Sequence, residues 1–134
     1  MRTILFVCVG NSCRSQMAEG FARAFGEGAV AAHSAGSRPS GRVHPTAVRL
    51  MAERGIDITS QRSKGLDALP PGVTWGDLVT MGCGDACPHV PASRRHDWDL
   101  PDPDGMDDDA FRSVRDRIET LVREVLDAHD LGRH

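Results

Sequence analysis

The sequence predicts an α/β fold: one domain in which a parallel sheet lies between layers of helices. Short apolar runs rich in β-formers alternate along the chain with stretches of helical periodicity, and that alternation calls for right-handed βαβ crossovers and a parallel sheet with helices on both faces. The 134 residues, 40% of them hydrophobic, suit one compact core. No internal repeat, low-complexity tract or linker divides residues 1–134, which read as a single-domain three-layer sandwich.

The elements follow in order. Thr3 to Val7 is an apolar run of strand type. Met17, Ala18, Phe21, Ala22 and Phe25 then recur at helical spacing and define a helix starting near Arg14. Ala29 to Gly36 reads as a second strand, weakened by alanine and closed by glycine, and Ser37 to Val43 as a polar loop. Pro45 suits the first turn of a helix whose apolar face is Ala47, Val48, Met51 and Ala52 and which Gly55 ends. Ser63 to Leu69 is expected as a further short helix, stopped by Pro70-Pro71-Gly72. Leu78 to Met81 is a third strand, and a short fourth lies near His96-Asp97-Trp98. In the last helix Phe111, Val114, Ile118, Leu121, Val122, Val125 and Leu126 form the stripe of a helix docked on a sheet.

Composition excludes several kinds of function. The net charge of −3 and the scattered arginines offer no basic face for nucleic acid, and Arg94-Arg95 is too short a run to make one. No apolar run approaches the roughly 18–20 residues of a membrane span. The first strand is too short for a signal-peptide core, so a cytoplasmic protein is expected. In that reducing compartment four cysteines are catalytic or metal-binding rather than structural staples.

The most informative segment is Cys8-Val9-Gly10-Asn11-Ser12-Cys13-Arg14-Ser15, where the first strand hands over to the first helix. A helix N-terminus directs unpaired N–H groups and the positive end of the macrodipole into one small space, a nest for a tetrahedral oxyanion. Gly10 allows close backbone approach, Asn11 tolerates a left-handed turn, and Arg14 offers a planar fork of donors. Cysteines at helix N-termini beside arginine ionise far more readily than free thiols and act as nucleophiles. Ser15 is placed to donate to the Cys8 sulfur. Packing alone, a buried strand-end thiol and a solvated arginine, does not require this conjunction of residues.

The stretch from Phe6 to Phe25 resembles the active-site loop and first helix of the low-molecular-weight protein tyrosine phosphatase family, and its Gly-Asn-Ser-Cys-Arg-Ser-Gln-Met-Ala-Glu-Gly run is most similar to the arsenate reductase branch. The resemblance implies strand order 2-1-3-4, Cys8 as nucleophile, residues 9 to 15 as the oxyanion site, Arg14 and Ser15 as catalytic helpers, and phosphate or sulfate as mimics of arsenate. In phosphatases of the family a disulfide between the equivalents of Cys8 and Cys13 looks like a guard against oxidation, which suggests a reserve redox role for Cys13.

A second thiol pair follows the third strand in Gly82-Cys83-Gly84-Asp85-Ala86-Cys87-Pro88, on the sheet edge that carries Cys8. Cysteines four apart bring their Cα atoms to about 6 Å, within disulfide range. The flanking glycines give the segment the freedom a resolving thiol needs. Two other readings stay open: a zinc site with His89 or His96, short of a second well-spaced ligand pair, and an inert pair of loop thiols. A phosphatase of this fold needs neither cysteine, whereas arsenate reduction consumes two electrons that a dithiol supplies. The thioredoxin-coupled arsenate reductases that the chain resembles carry such a pair, more widely spaced, so the order of attack by Cys83 and Cys87 is open.

An Asp-Pro in a rigid loop over an anion site can protonate a leaving oxygen, and by resemblance Asp102 is that acid. Asp-rich loops before helices also simply cap and solvate, as Asp107-Asp108-Asp109 is expected to do. Family phosphatases place aromatic rings beside this Asp-Pro to hold a substrate ring; here Asp104-Gly105 follows, and the chain has no tyrosine. In some arsenate reductases of this type a potassium ion braces the loop through positions aligning with Asn11, Glu19, Ser34, Arg62 and Lys64; here Lys64 is expected to supply that charge, paired with Glu19. The sequence thus points to a monomeric arsenate reductase without a cofactor or bound metal, re-reduced by thioredoxin. The alternatives are a phosphatase, a reductase coupled to mycothiol and a glutaredoxin-like partner, and a zinc- or arsenical-binding sensor.

Overall fold

Strand β1 (Arg2–Cys8) is buried along most of its length because both its faces are covered. In the computed structural model, which describes residues 2–82 and 90–131, it is followed by α1 (Arg14–Phe25), β2 (Val30–Gly36), α2 (Pro45–Ala52), a 3-10 turn (Leu66–Ala68), β3 (Trp75–Thr80), β4 (Ala92–Asp97) and α3 (Asp108–Leu131). The strands form one parallel sheet in the order β2-β1-β3-β4. In register, Cys8 lies opposite Gly36, and Val7 lies between Ala35 and Thr80. The order reverses at β1 and β3, so the carboxyl end of β1 opens onto the crevice where ligands of such sheets bind.

Alternation along the strands divides the core. Ile4, Phe6 and Val79 pack with Met17 and Phe21 of α1, Leu50 and Met51 of α2, and Phe111 and Ile118 of α3. Leu5, Val7 and Leu78 face the other way and meet Leu66, Leu69, Val73 and Val90. The two helical layers expected from the sequence are therefore unequal: among the described residues all three α-helices lie on one face, and the 3-10 turn with extended segments covers the other. The helix anticipated over Ser63 to Leu69 shrinks to that turn because Pro70 and Pro71 follow at once.

Buried charge ties the sheet together. Asp77 of β3 is fully buried and accepts from Arg94 Nε at 3.0 Å and Arg2 Nε at 3.0 Å, with His96 Nε2 at 3.0 Å. Arg2 also donates to the Val125 carbonyl and so fastens α3 to the start of β1. At the other end of α3, Asp107 caps the helix by accepting the Ala110 N–H at 2.8 Å. Among the described residues no helix is long and apolar enough to cross a membrane.

Candidate active site

The loop from β1 to α1 has all its carbonyls turned outward and engaged. Those of Cys8, Val9, Gly10 and Ser12 accept from the N–H groups of Ser37, Arg38, Ser40 and His44, and Asn11 O accepts from the Gln16 amide. Among the described residues, no N–H of residues 10 to 15 donates to a protein acceptor. The loop is thus a frame that holds its carbonyls away and leaves its donors for an oxyanion. Two glycines outside the loop make it possible. A Cβ at Gly36 would lie 2.5 Å from the Val9 oxygen, and one at Gly82, whose φ is +73°, would lie 2.6 Å from Arg14 Nη1. At Gly10 a Cβ would meet only Ser12 Cβ at 3.9 Å, so the close approach expected there is not to the protein.

Hydrogen-bond direction around Cys8 follows from one backbone donor. The N–H of Lys64 points at Asn11 Oδ1 at 2.9 Å, and Gln16 Nε2 reaches the same oxygen at 3.0 Å, so Asn11 presents its Nδ2 on the other side. That Nδ2 donates to Ser15 Oγ at 2.7 Å, and the Ser15 proton is left for Cys8 Sγ, 2.9 Å away. A thiolate accepts such a bond more strongly than a thiol does. Asn11, Ser15 and Gln16 are fully buried, and Asn11 has φ 47°, the left-handed turn its residue type suggested.

Arg14 is buried and donates from Nη1 to the Leu100 carbonyl at 3.1 Å; its Nη2 lies 3.9 Å from Asp102 Oδ2. With Cys8, Ser12 and Cys13, Arg14 and Asp102 line a cavity of about 130 Å³. Asp102 is exposed, and its Oδ1 accepts the Asp104 N–H at 3.0 Å, so Oδ2 is the oxygen turned toward Arg14. Cys13 lies in the same wall. Burial, with the charges of Asp102, Asp104 and Cys8 adding to it, pushes its thiol up to about 12. It is a neutral, buried wall residue, and both loop cysteines are free thiols.

His44 and Asp104, also in the cavity wall, were not singled out as site residues by the sequence. Only the His44-Pro45 start of α2 hints at His44, as the cap that accepts the Thr46 N–H on Nδ1 at 3.1 Å. Cys83, Cys87 and His89 lie outside the described residues. His96, the other histidine considered for zinc, is bound to Asp77. Lys64 Nζ stands 3.9 Å from Glu19 Oε1 and 3.4 Å from the Arg62 carbonyl, while Ser34 Oγ donates to Glu19 at 2.5 Å. The residues that would ring a potassium ion hold an ammonium instead, so they do not fit the ion.

The model of low molecular weight phosphotyrosine protein phosphatases matches residues 3–82 and 85–134. The chain belongs to that family. Among its relatives is the glutaredoxin arsenate reductase of Synechocystis, 41% identical over 131 residues, which span 93% of this chain and 99% of that one. A solved arsenate reductase in a phosphate-binding state superposes with a TM-score of 0.85 at 38% identity, over 96% of this chain and 98% of the other. A thioredoxin-dependent arsenate reductase of Corynebacterium glutamicum superposes with a TM-score of 0.81 at 30% identity, covering 98% of this chain and 63% of that one. Family and geometry agree on the fold and its strand order.

Proposed function

We propose that this chain reduces arsenate to arsenite through a Cys8, Cys83 and Cys87 relay. Arsenate docks in residues 9 to 15. The Cys8 thiolate attacks arsenic while Asp102 gives its proton to the departing oxygen, which leaves as water. Cys83 then attacks the Cys8 sulfur, and the electron pair of the sulfur–arsenic bond stays on arsenic, releasing arsenite. Cys87 attacks Cys83 in turn and frees Cys8. Two thiols have become one disulfide, the two electrons that As(V) needs. Thioredoxin reduces the Cys83–Cys87 disulfide, a cycle that belongs in a reducing compartment, the cytoplasm, and that one chain carries alone.

The observation that carries this reading is the contact of Gly82 with Arg14, because Gly82 immediately precedes Cys83 in the sequence. The wall residue Asp104 supports it as well, since a bare oxyanion needs no aromatic clamp. The name of the Synechocystis relative favours a second choice of reductant, a glutaredoxin acting with a small thiol such as glutathione or mycothiol.

Counting free thiols before and after arsenate exposure tests the reaction: two should disappear per chain, only with arsenate, whereas a phosphatase would lose none. Cys87→Ser should stop after about one turnover with arsenate binding intact, on the arithmetic of one dithiol per arsenate. Multiple turnovers by that variant with thioredoxin as sole reductant would refute the relay. Failure of thioredoxin, with glutaredoxin and a small thiol sustaining turnover, would assign the second reductant.

A further inference from the structure

The acid proposed for the reaction sits in a segment whose apolar residues face inward, Pro103 buried and Met106 packed against the core, while its carboxylates stay exposed. Leu100 is buried and anchored through its carbonyl to Arg14, and α3 begins at Asp108, gripped by Arg49 through two bonds of 2.8 and 2.9 Å. Between these points Asp102 and Asp104 are both exposed, on either side of buried Pro103, and a Met106-to-Pro103 backbone bond closes a turn there. Their carboxylates meet two side chains from outside the segment, Arg14 and His44.

His44 is fixed on three sides. Its N–H donates to the Ser12 carbonyl of the anion loop at 3.0 Å, and its ring lies 5.5 Å from that of Phe111. Its Nδ1 accepts the Thr46 N–H, so the neutral ring carries its proton on Nε2 and donates to Asp104 Oδ1 at 3.1 Å. Asp104 in turn gives its N–H to Asp102 Oδ1, and Asp102 Oδ2 faces Arg14. The contacts close a ring that runs from the anion loop through His44, Asp104, Asp102 and Arg14 back to the loop.

We infer that the His44–Asp104 hydrogen bond is a latch that holds Asp102 over the cysteine cavity, which makes His44 a positioning residue for the acid; the inference rests on the reading of Asp102 given above. His44 touches neither sulfur nor leaving oxygen in this role. It sets where the proton is delivered, through Asp104.

His44→Asn separates this role from capping, because asparagine is among the best N-caps and is too short to span to Asp104. In single-turnover thiol loss at saturating arsenate the variant should be slower by about 3- to 10-fold, the worth of one partly exposed hydrogen bond, with the half-saturating arsenate concentration unchanged. In an Asp102→Asn background the same change should alter the rate by less than about twofold, because residues acting as one unit are not additive. Asp104→Ala should reproduce His44→Asn without touching the cap, and so decides the matter if His44→Asn folds poorly.

A wild-type rate in both single variants, or an equal loss with and without Asp102, would overturn the latch. If the unmodified protein loses no thiols to arsenate, the reductase reading fails and the same variants are assayed on phenyl phosphate, whose phenolate also needs a proton. The same pattern there supports the latch, and inactivity of the unmodified protein on both substrates overturns it.

Discussion

Replacing Asn11 by Asp exchanges one NH2 for one oxygen and should reverse the hydrogen bond that Ser15 makes. Oδ1 would go on accepting from the Lys64 N–H and Gln16 Nε2, at 2.9 and 3.0 Å in the native protein, so the loop keeps its shape. The second oxygen, where Nδ2 stands 2.7 Å from Ser15 Oγ, would draw the serine proton away from Cys8. Three donors and the helix N-terminus hold the new carboxylate ionised. Cys8 then loses a hydrogen bond to a charged acceptor, worth about 1.5–3 kcal/mol, which corresponds to roughly 10- to 150-fold in the supply of thiolate. Alkylation of Cys8 by iodoacetamide, followed by mass spectrometry at mildly acid pH, reads that supply directly. Asn11→Asp should slow it by about one to two decades, and much less in a Ser15→Ala background, where the donor is already gone. Alkylation of Asn11→Asp at the native rate would show that Ser15 does not give its proton to Cys8, and the assignment of direction would be wrong.

Gly82→Ala should weaken phosphate binding by about tenfold or more in calorimetry, because its Cβ would displace the Arg14 guanidinium, and a hydrogen bond to a charged group is worth about 1.5–3 kcal/mol; native affinity would refute the contact. Burial opposes ionisation of Asp77, yet hydrogen bonds from Arg94, His96 and Arg2 outweigh it and hold the carboxyl below its usual range. The stability it confers is therefore present above the unfolded value of about 4 and lost as pH falls through the folded one, so Asp77→Ala should cost about 3–5 kcal/mol in urea unfolding at pH 7 and less in acid. A gap that widens in acid would contradict this. Cys13, with its thiol near 12 instead of 9, should resist alkylation in the folded protein from pH 7 to 10 while Cys8 reacts. Potassium should not raise activity above sodium at equal ionic strength, since Lys64 already faces Glu19 and the Arg62 carbonyl; a potassium-specific gain would show a cation bound there.

Legibility in the sequence followed the distance over which each feature is determined. β1, α1 and α3 were readable because their apolar residues keep one period over many positions, and Phe111, Ile118 and Val122 are indeed buried on one stripe. β4 was not readable over its length. It is an edge strand, and Ala92 to Asp97 carries Arg94, Arg95 and His96 with no apolar alternation, its place fixed by pairing with β3 and by the bonds to Asp77. β3 begins at Trp75, earlier than Leu78, because Gly76 and Asp77 look like turn residues until the Thr3 and Arg2 side chains that receive them are seen.

The site divides in the same way. Cys8, Asn11 and Ser15 are joined by hydrogen bonds within eight residues, so the string itself brings the proposed nucleophile to its donor, whereas the Lys64 N–H sets the direction of that bond and the Leu100 carbonyl holds Arg14. Asp102 could be named only as an Asp-Pro in an acidic loop. What brings it to Arg14 is a path through His44 and Asp104, residues 60 apart in sequence, and nothing local in either marks that pairing. The anion loop and the proposed acid share one anchor: the His44 N–H holds the Ser12 carbonyl of the loop, while the His44 ring holds Asp104, whose N–H reaches Asp102. Substitution of the His44 side chain or of Asp104 leaves that backbone bond in place, so under the proposed latch it changes the rate of the chemical step while leaving affinity for phosphate as it is.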